Sequence, residues 1–179
     1  MPNIHVRPLF AADLPDLIAI DHSYITDYVW QMDLREEEKK VSVRFNEIRL
    51  PRSVQLEYPR DPQHLADTWN QFAGFLVAEH EKEVLGYIAV HRTPGAHVAH
   101  ITDLAVKRRI RRRGVGASLL LAALEWASHQ QVAQITAEVQ SKNVPAIRLM
   151  KKIGFSICGY NDRYYPNQDI ALFFGKIVR

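Results

Sequence analysis

The sequence predicts an α/β domain in which helices pack on a mixed β-sheet. Two helical patterns carry this prediction, one at residues 114–129 and one that begins after Asn143 and stops at Gly154. Around them lie short segments in which apolar and polar residues alternate, as in half-buried strands. No repeat, low-complexity stretch or Gly/Ser-rich hinge interrupts the chain, so residues 1–179 are predicted to form one domain.

The strands and helices follow from periodicity and from turn residues. Strands are predicted at residues 4–9, 41–45, 54–58, 74–79, 84–91, 98–106, 133–139, 155–160 and 170–178. Residues 41–45 and 54–58 are predicted to be a strand pair joined by a loop at Pro51-Arg52, although residues 36–49 also fit a helix. Helices are predicted at residues 11–24, 63–71 and 114–129 and in the segment that Asn143 caps.

Composition excludes several classes of protein. The chain has 179 residues, 47% hydrophobic and 24% charged, which is the range of globular domains and not of disordered chains. No apolar run approaches the ~20 residues that span a bilayer, and the N-terminus has no apolar stretch of signal-peptide length. The single cysteine, Cys158, excludes an intramolecular disulfide and a four-cysteine zinc site, and no metal-binding pattern of histidines is present. A cytoplasmic location is expected.

The segment from Ile101 to Ala117 carries the clearest chemical signal. A strand ends at Val106, a strongly basic loop follows, and a helix opens through Gly114-Val115-Gly116. The first N–H groups of a helix have no intrahelical partner, and glycine lets a bulky anion approach them. Flanking arginines can bind phosphate oxygens in a bidentate manner. The pattern predicts an anion cradle, most naturally for a pyrophosphate.

Other interpretations of this segment remain open. Leu119 stands where a dinucleotide-binding fingerprint needs a third glycine, and the Gly-Lys-Ser/Thr of a phosphate loop is absent. The segment is also compatible with an ordinary helix start beside a solvated basic loop. Six of the seven residues 107–113 are basic, so a nucleic-acid-binding module is an alternative, although no aromatic residue lies among them and the net charge is only +3.

Two linked motifs resemble the GNAT superfamily of N-acetyltransferases. Arg111-x-x-Gly114-x-Gly116, which follows the strand end Leu104-Ala105-Val106, resembles its acetyl-CoA signature. About thirty residues later, EVQSKN at 138–143 and the helix that ends at Gly154-Phe155 resemble its second CoA-contacting strand and helix. The resemblance extends from about residue 76 to the C-terminus, and this part, 76–179, is expected to bind acetyl-CoA.

The resemblance implies a mixed, mostly antiparallel sheet with helices on both faces. The strand that ends at Val106 would splay from strand 133–139, and the pantetheine arm of acetyl-CoA, the co-substrate, would lie in the gap. No metal is implied. The residues expected to bind the cofactor are Leu104, Ala105, Val106, Arg111, Arg112, Arg113, Gly114, Val115, Gly116, Ala117 and Asn143.

One position departs from the family pattern. Many members have a tyrosine four residues before the glycine of Gly154-Phe155, where it protonates the departing thiolate, whereas this chain has Met150. Methionine cannot donate a proton, so Tyr164 or Tyr165 is the hypothetical acid.

The candidate bases are Asp103 and Glu138, because a carboxylate acting through a water can deprotonate an amine. Each is equally compatible with an ordinary polar residue on a half-exposed strand.

The acceptor is predicted to be a primary amine, on a small molecule or at a protein N-terminus. Glu138-Val-Gln and Asn143-Val-Pro-Ala are similar to streptothricin acetyltransferases, and Tyr164-Tyr165-Pro166 is similar to N-terminal protein acetyltransferases. A catalytically inactive CoA-binding member is the further alternative, and homodimers are common in the family. A cluster of three aromatic residues and one glutamine could line an acceptor pocket or form core beneath a helix, and both interpretations are open: Tyr24, Tyr28, Trp30 and Gln31.

Overall fold

The computed structural model describes residues 4–92 and 97–178, so the remaining residues of the predicted domain 1–179 lie outside the description. The strands within the described residues are β1 His5–Pro8, β2 Tyr24–Glu37, β3 Lys40–Leu56, β4 Gly74–His80, β5 Glu83–Arg92, β6 Val98–Val106, β7 Gln134–Gln140, β8 Ser156–Asn161 and β9 Ala171–Ile177. The α-helices there are α1 Leu14–Ile18, α2 His64–Thr68, α3 Val115–His129 and α4 Val144–Lys152.

Seven strands form one mixed sheet in the order β1-β4-β5-β6-β7-β9-β8. In the part of the chain that is described, β6 and β7 pair in parallel and the other neighbours pair antiparallel. A parallel pair needs a long crossover, which α3 supplies. The predicted fold class, a single α/β domain with a mixed and mostly antiparallel sheet, is confirmed.

The two central strands splay apart. Their pairing runs from Val98 opposite Gln134 to Ile101 opposite Ala137 and then ends, although β6 continues for five more residues and β7 for three. Beyond Ile101, β6 is still paired with β5 on its other side. The splayed strands that the sequence implied are therefore present, and they open a gap in the middle of the sheet.

Helices cover both faces of the sheet, as expected. Leu119 and Leu120 of α3 are fully buried in the larger core, which Ile147 of α4 also joins. Leu17 of α1 and Leu65 of α2 lie in a second core on the other side of β4 and β5. Each fully buried leucine stabilises the fold by roughly 1.5–3 kcal/mol, so the sheet is held from both sides.

The segment 24–56 differs from its prediction. Strands β2 and β3 form a long antiparallel hairpin that is separate from the main sheet and turns at Glu38-Lys39. The predicted loop at Pro51-Arg52 is wrong, because β3 is one strand from Lys40 to Leu56, and the helical alternative for 36–49 is wrong too.

The position of Pro51 explains why a proline occurs inside β3. Thr26 pairs with Val54 and Tyr28 with Arg49, so four residues of β3, among them Pro51, lie opposite one residue of β2. Such a bulge leaves residues outside the hydrogen-bonded ladder, and a proline is tolerated there because no ladder N–H is required. Pro51-Arg52 therefore marks a bulge in β3 and not the loop that was predicted there.

The first helix is shorter than predicted. The helix expected at residues 11–24 is a 3-10 turn at Ala11–Asp13 followed by α1, which ends at Ile18. The carboxylate of Asp21 accepts a hydrogen bond from the backbone N–H of Ser23 at 2.9 Å, which turns the chain toward the hairpin.

The other elements lie where they were predicted to within about three residues. The bounds of β6 are those predicted, and α3 begins one residue after its predicted start. Asn143 Oδ1 accepts a hydrogen bond from Ala146 N at 3.1 Å and so caps α4. Gly154 has φ +87°, the left-handed conformation that ends this helix.

Candidate active site

A cleft of about 440 Å³ lies between the end of β6, the start of α3 and the first turns of α4. The sequence-predicted cofactor residues that line it are Leu104, Ala105, Val106, Arg111, Arg112, Gly114, Val115, Gly116, Ala117 and Asn143. Arg113 is exposed and does not line it. The turn after α1 and the start of the hairpin add His22 and Tyr24, which lie upstream of the segment 76–179 that was expected to bind the cofactor.

The N-terminus of α3 opens into this cleft. Gly114 has φ +93°, which glycine adopts without strain, and its carbonyl accepts the first helical hydrogen bond from Ser118 N at 3.0 Å. The N–H groups of residues 115–117 precede that bond and have no intrahelical partner. A Cβ at Gly116 would lie 3.0 Å from Leu149 Cδ2, so glycine permits the close approach of α3 and α4.

Three of the six basic residues in the run 107–113 form ion pairs within the described part of the protein. Lys107 and Arg109 form ion pairs with Glu83, and Arg108 lies 3.5 Å from Asp21. Arg112 and Arg113 are exposed, and neither has an ion-pair partner among the described residues. Two carboxylates, Glu83 and Asp21, thus offset part of the charge of the run, and no further feature of the described residues supports the nucleic-acid-binding alternative.

The side chain of Arg111 is half-buried and bound to backbone carbonyl groups, unlike an exposed arginine that is free to bind a phosphate. Its Nε donates a hydrogen bond to Val106 O at 2.8 Å and its Nη1 donates to Ser23 O at 2.5 Å, while Nη2 donates to Asp21 O. Burial lowers the pKa of this guanidinium. The side chain therefore ties the end of β6 to the turn after α1, and its predicted contact with phosphate stays a prediction.

The cleft continues into the gap between β6 and β7. A second cavity of about 70 Å³ shares Tyr58, Leu104, Asn143 and Ala146 with the cleft. Its further lining residues include Arg60, Asp103, Glu138, Met150 and Tyr165. The end of β6, both candidate bases and one candidate acid thus lie along one continuous path.

A network of charged and phenolic groups surrounds the two carboxylates. Arg60 donates hydrogen bonds to Thr102 O at 2.5 Å and to Glu138 Oε1, and its Nη1 lies 3.6 Å from Asp103 Oδ1. The Tyr58 hydroxyl donates to Asp103 Oδ1. The side chain of Glu138 is only 2% exposed and that of Asp103 is 10% exposed. Both carboxylates are therefore held in place beneath the gap.

Glu138 has two further partners. Tyr164 donates a hydrogen bond from its hydroxyl to Glu138 Oε2 at 2.7 Å, and His100 Nε2 lies 3.3 Å from the same oxygen. Burial, with the charge of Arg60, lowers the pKa of His100, so this imidazole is neutral at pH 7. Of the two candidate acids, Tyr165 is buried and lines the gap, whereas Tyr164 is 41% exposed and does not line it.

Sequence reasoning missed Tyr58 and Arg60. They lie in the connection between β3 and α2, where no motif or periodicity marks a functional side chain. Burial raises the pKa of Tyr58 well above its ordinary value, and the nearby charge of Asp103 adds to this, so its hydroxyl stays protonated. Only the path of this connection brings both residues to the carboxylates.

The four clustered residues of β2 lie in different places, one in the cleft, two at the larger core and one at the surface. Tyr24 lines the cleft and donates a hydrogen bond to Gln140 Oε1 at 2.9 Å, whereas Trp30 is buried in the larger core. Tyr28 packs against that core and Gln31 is exposed. Of these four residues, Tyr24 alone lines the cleft.

Within residues 4–92 and 97–178, no three His, Cys, Asp or Glu side chains are grouped so that they could hold a metal ion. Nor is any helix in those residues long and apolar enough to cross a membrane.

The chain is similar in sequence to known acetyltransferases. The family model of the acetyltransferase (GNAT) family matches residues 42–155. An N-alpha-acetyltransferase of Sulfurisphaera tokodaii is 30% identical over 140 residues, which are 72% of this chain and 81% of the relative. A streptothricin acetyltransferase of Escherichia coli is 31% identical over 99 residues, which are 52% of this chain and 56% of the relative.

The fold is also that of a solved acetyltransferase structure. A proposed streptothricin acetyltransferase from Bacillus anthracis str. Ames, in complex with acetyl coenzyme A, has a TM-score of 0.78 to this chain over 99% of both chains, at 23% identity. Because the family model covers well over half of the chain and the archaeal relative is matched over most of its length, the chain belongs to the GNAT family and is an N-acetyltransferase with acetyl-CoA as its co-substrate.

Proposed function

We propose that this chain transfers the acetyl group of acetyl-CoA directly to a primary amine, on a small molecule or at a protein N-terminus, without a covalent enzyme intermediate. The observation that carries the proposal is the continuous path from the helix N-terminus at Gly114, along the free side of β6, to Asp103 and Glu138. Residues 1–179 act as one domain, in the cytoplasm, where the free and exposed Cys158 stays reduced.

The backbone provides most of the cofactor site. The N–H groups at the start of α3, with the side chain of Arg112, which lines the cleft, would hold the pyrophosphate, and the neighbouring Arg113 would add positive charge outside the cleft. The side of β6 beyond Ile101 that no longer pairs with β7 would pair with the amide-containing pantetheine, as an added strand does. Asn143, which lines both cavities, lies between the two halves of this path.

The protein must then remove a proton from the amine and stabilise an oxyanion. Acetyl-CoA supplies an acetyl thioester whose carbonyl carbon the neutral amine attacks, so that a C–N bond forms and the C–S bond breaks. Asp103 or Glu138 receives the ammonium proton, directly or through a water, because an alkylamine with a pKa near ~10.4 is protonated at neutral pH. A backbone N–H near Leu104 donates to the oxyanion.

Tyr165 or Tyr164 returns a proton to the departing thiolate. Burial raises the pKa of Tyr165, so its hydroxyl carries its proton at neutral pH. Met150 is buried in the same gap and has no proton to give. In this proposal, Tyr165 or Tyr164 takes the role of the tyrosine that many family members have at the position of Met150.

The test is an acetylation screen in which released CoA is measured with acetyl-CoA and a panel of acceptors. The panel contains alkyl amines, polyamines, aminoglycosides, streptothricin and peptides with free N-termini. At least one acceptor is expected to release CoA stoichiometrically with formation of its N-acetyl product. If the full panel is inert while acetyl-CoA binds, the chain is a CoA-binding protein without this activity.

A further inference from the structure

The charges in the gap between β6 and β7 do not balance. Among the residues that line it, the charged ones are Asp103, Glu138 and Arg60, two carboxylates against one guanidinium. Two further groups contact Glu138 from the neighbouring elements: His100, whose pKa is lowered by burial, and Tyr164, which donates a hydrogen bond. By formal charge, the described residues that line the gap therefore carry one negative charge in excess.

The single compensating cation comes from a loop. Arg60 follows β3 in the connection to α2, outside any helix or strand, and its side chain is 35% exposed. Glu138 beneath it is almost fully buried on β7. The guanidinium can thus be reached from solvent, whereas Asp103 and Glu138 are buried on the strands β6 and β7. An uncompensated pair of buried carboxylates is unfavourable, so whatever displaces Arg60 must itself bring a positive charge.

The space beside Arg60 is small. The gap has a volume of about 70 Å³, against about 440 Å³ for the cleft that it joins. An amine that reaches both Asp103 and Glu138 must contact the guanidinium, which lies close to both carboxylates. Entry of an acceptor and displacement of Arg60 are therefore coupled.

We propose that the acceptor is a dicationic amine, a primary amine that carries a second ammonium or guanidinium group, and that this second cation takes the place of Arg60. This rests on the proposed function. In the reaction, the second cation pairs with one carboxylate, while the reacting nitrogen loses its proton to the other. The C–N bond then forms, the C–S bond breaks, and the thiolate leaves with a proton.

The test compares amines that differ only in the second cation. Acetyl-CoA is supplied with 1,4-diaminobutane or with butylamine, and CoA release is measured. The kcat/KM for the diamine is expected to exceed that for the monoamine at least tenfold. Equal values, or faster acetylation of a peptide that has no basic side chain, would overturn the proposal while leaving the N-acetyltransferase function intact.

Variants of Arg60 separate displacement from a purely structural role. In Arg60→Gln the KM for 1,4-diaminobutane is expected to fall at least threefold, and by a larger factor than the KM for butylamine, because only the diamine has a second ammonium group to pair with the carboxylate that Arg60 no longer occupies. Arg60→Lys retains the charge and should retain the wild-type preference. Arg52→Gln, at an exposed arginine of β3, is the control and should change neither constant. An equal rise in both KM values for Arg60→Gln would contradict displacement.

A measurement of amine binding tests the proposal independently of turnover. Calorimetry of the protein saturated with CoA is expected to give a Kd at least tenfold lower for 1,4-diaminobutane than for butylamine. Should no amine be acetylated, the proposed function fails, and this measurement still tests the charge argument. Equal affinities, or no binding of the diamine, would overturn it.

Discussion

At the scale of single residues, the two candidate bases occupy similar but not equivalent positions. Glu138 accepts from Arg60 and Tyr164 and lies near His100, whereas Asp103 accepts from Tyr58 and lies farther from Arg60. A carboxylate with several donors is held rigidly, and one with fewer donors is freer to accept a proton. These contacts favour Asp103 as the base and Glu138 as the group that organises the site.

Substitution of the carboxylates tests this assignment. If a carboxylate accepts the ammonium proton, activity rises with pH as that carboxyl group loses its own proton. Asp103→Asn is expected to lower kcat by about 10²–10⁴-fold, the usual contribution of a general base, and to remove that rise from the pH–rate profile. Glu138→Gln should lower kcat as well but leave the shape of the profile. Both variants should bind acetyl-CoA normally in a thermal-shift measurement, and unchanged profiles for both would exclude a carboxylate base.

The candidate acids can be separated by removal of one hydroxyl. Tyr165→Phe, in the gap, is expected to reduce kcat at least tenfold, about 1.4 kcal/mol in the barrier, since the thiolate loses its proton donor. Tyr164→Phe is the matched comparison, because Tyr164 is exposed and does not line the gap, although it donates a hydrogen bond to Glu138. In the Tyr165→Phe background, Met150→Tyr should restore part of the rate. If Tyr164→Phe is the impaired variant instead, the acid is Tyr164, and if neither is impaired, water protonates the thiolate.

At the scale of elements, adjacent arginines of the basic loop between β6 and α3 are placed differently. Arg111 makes three contacts with backbone carbonyl groups and joins β6 to the turn after α1, while Arg112 points to solvent beside the cleft with φ +64°. Hydrogen bonds from charged donors contribute more than neutral ones, about 1.5–3 kcal/mol each. A signature arginine can therefore act on the shape of the cleft without contacting the ligand.

Alanine variants of the two arginines are expected to separate their roles. Arg111→Ala should lower the free energy of unfolding without ligand by about 2 kcal/mol, because three carbonyl groups lose their donor. Arg112→Ala should leave that stability unchanged and weaken acetyl-CoA binding. Denaturant unfolding and calorimetry measure the two effects. Loss of affinity with unchanged stability in Arg111→Ala would instead make Arg111 a phosphate ligand.

At the scale of the whole molecule, the cofactor path connects parts of the chain that are distant in sequence. The cleft is lined by the turn after α1, by β6, and by the starts of α3 and α4. A ligand that contacts all of them is bound only by the folded state, so binding stabilises the fold by mass action. The expected stabilisation applies to the whole fold and does not depend on which amine is the acceptor.

Acetyl-CoA at ~100 times its Kd should therefore stabilise the protein by about 2.7 kcal/mol in thermal unfolding, and adenosine alone should stabilise it less. Gly116→Glu places a carboxylate at the start of α3 and should abolish the shift. Leu121→Glu introduces the same charge on an exposed position of the same helix and should retain it. No shift in the wild-type protein would contradict the cofactor site.

Most of the main sheet and of the cofactor cleft could be predicted from the sequence because the signals are local. The alternation of apolar and polar residues predicts β6 with its observed bounds. Gly114, with φ +93°, precedes α3, and Asn143 caps α4. The hairpin of β2 and β3 could not be predicted as it is, because pairing over residues 24–56 depends on contacts far along the chain. Pro51 is a loop signal locally and a bulge only in the paired strands.

The sequence by itself predicted the fold class, which the structure confirms, and it led to the predictions of an anion cradle at the start of α3 and of Asp103 and Glu138 as candidate bases. Only the tertiary structure decided that Arg60 and Tyr58 lie between and beside those carboxylates, and that Arg111 points to carbonyl groups of this chain. The reason is physical: helices, strands and caps follow from neighbours within a few residues, whereas charge compensation across a splayed sheet depends on where a connecting loop passes in space.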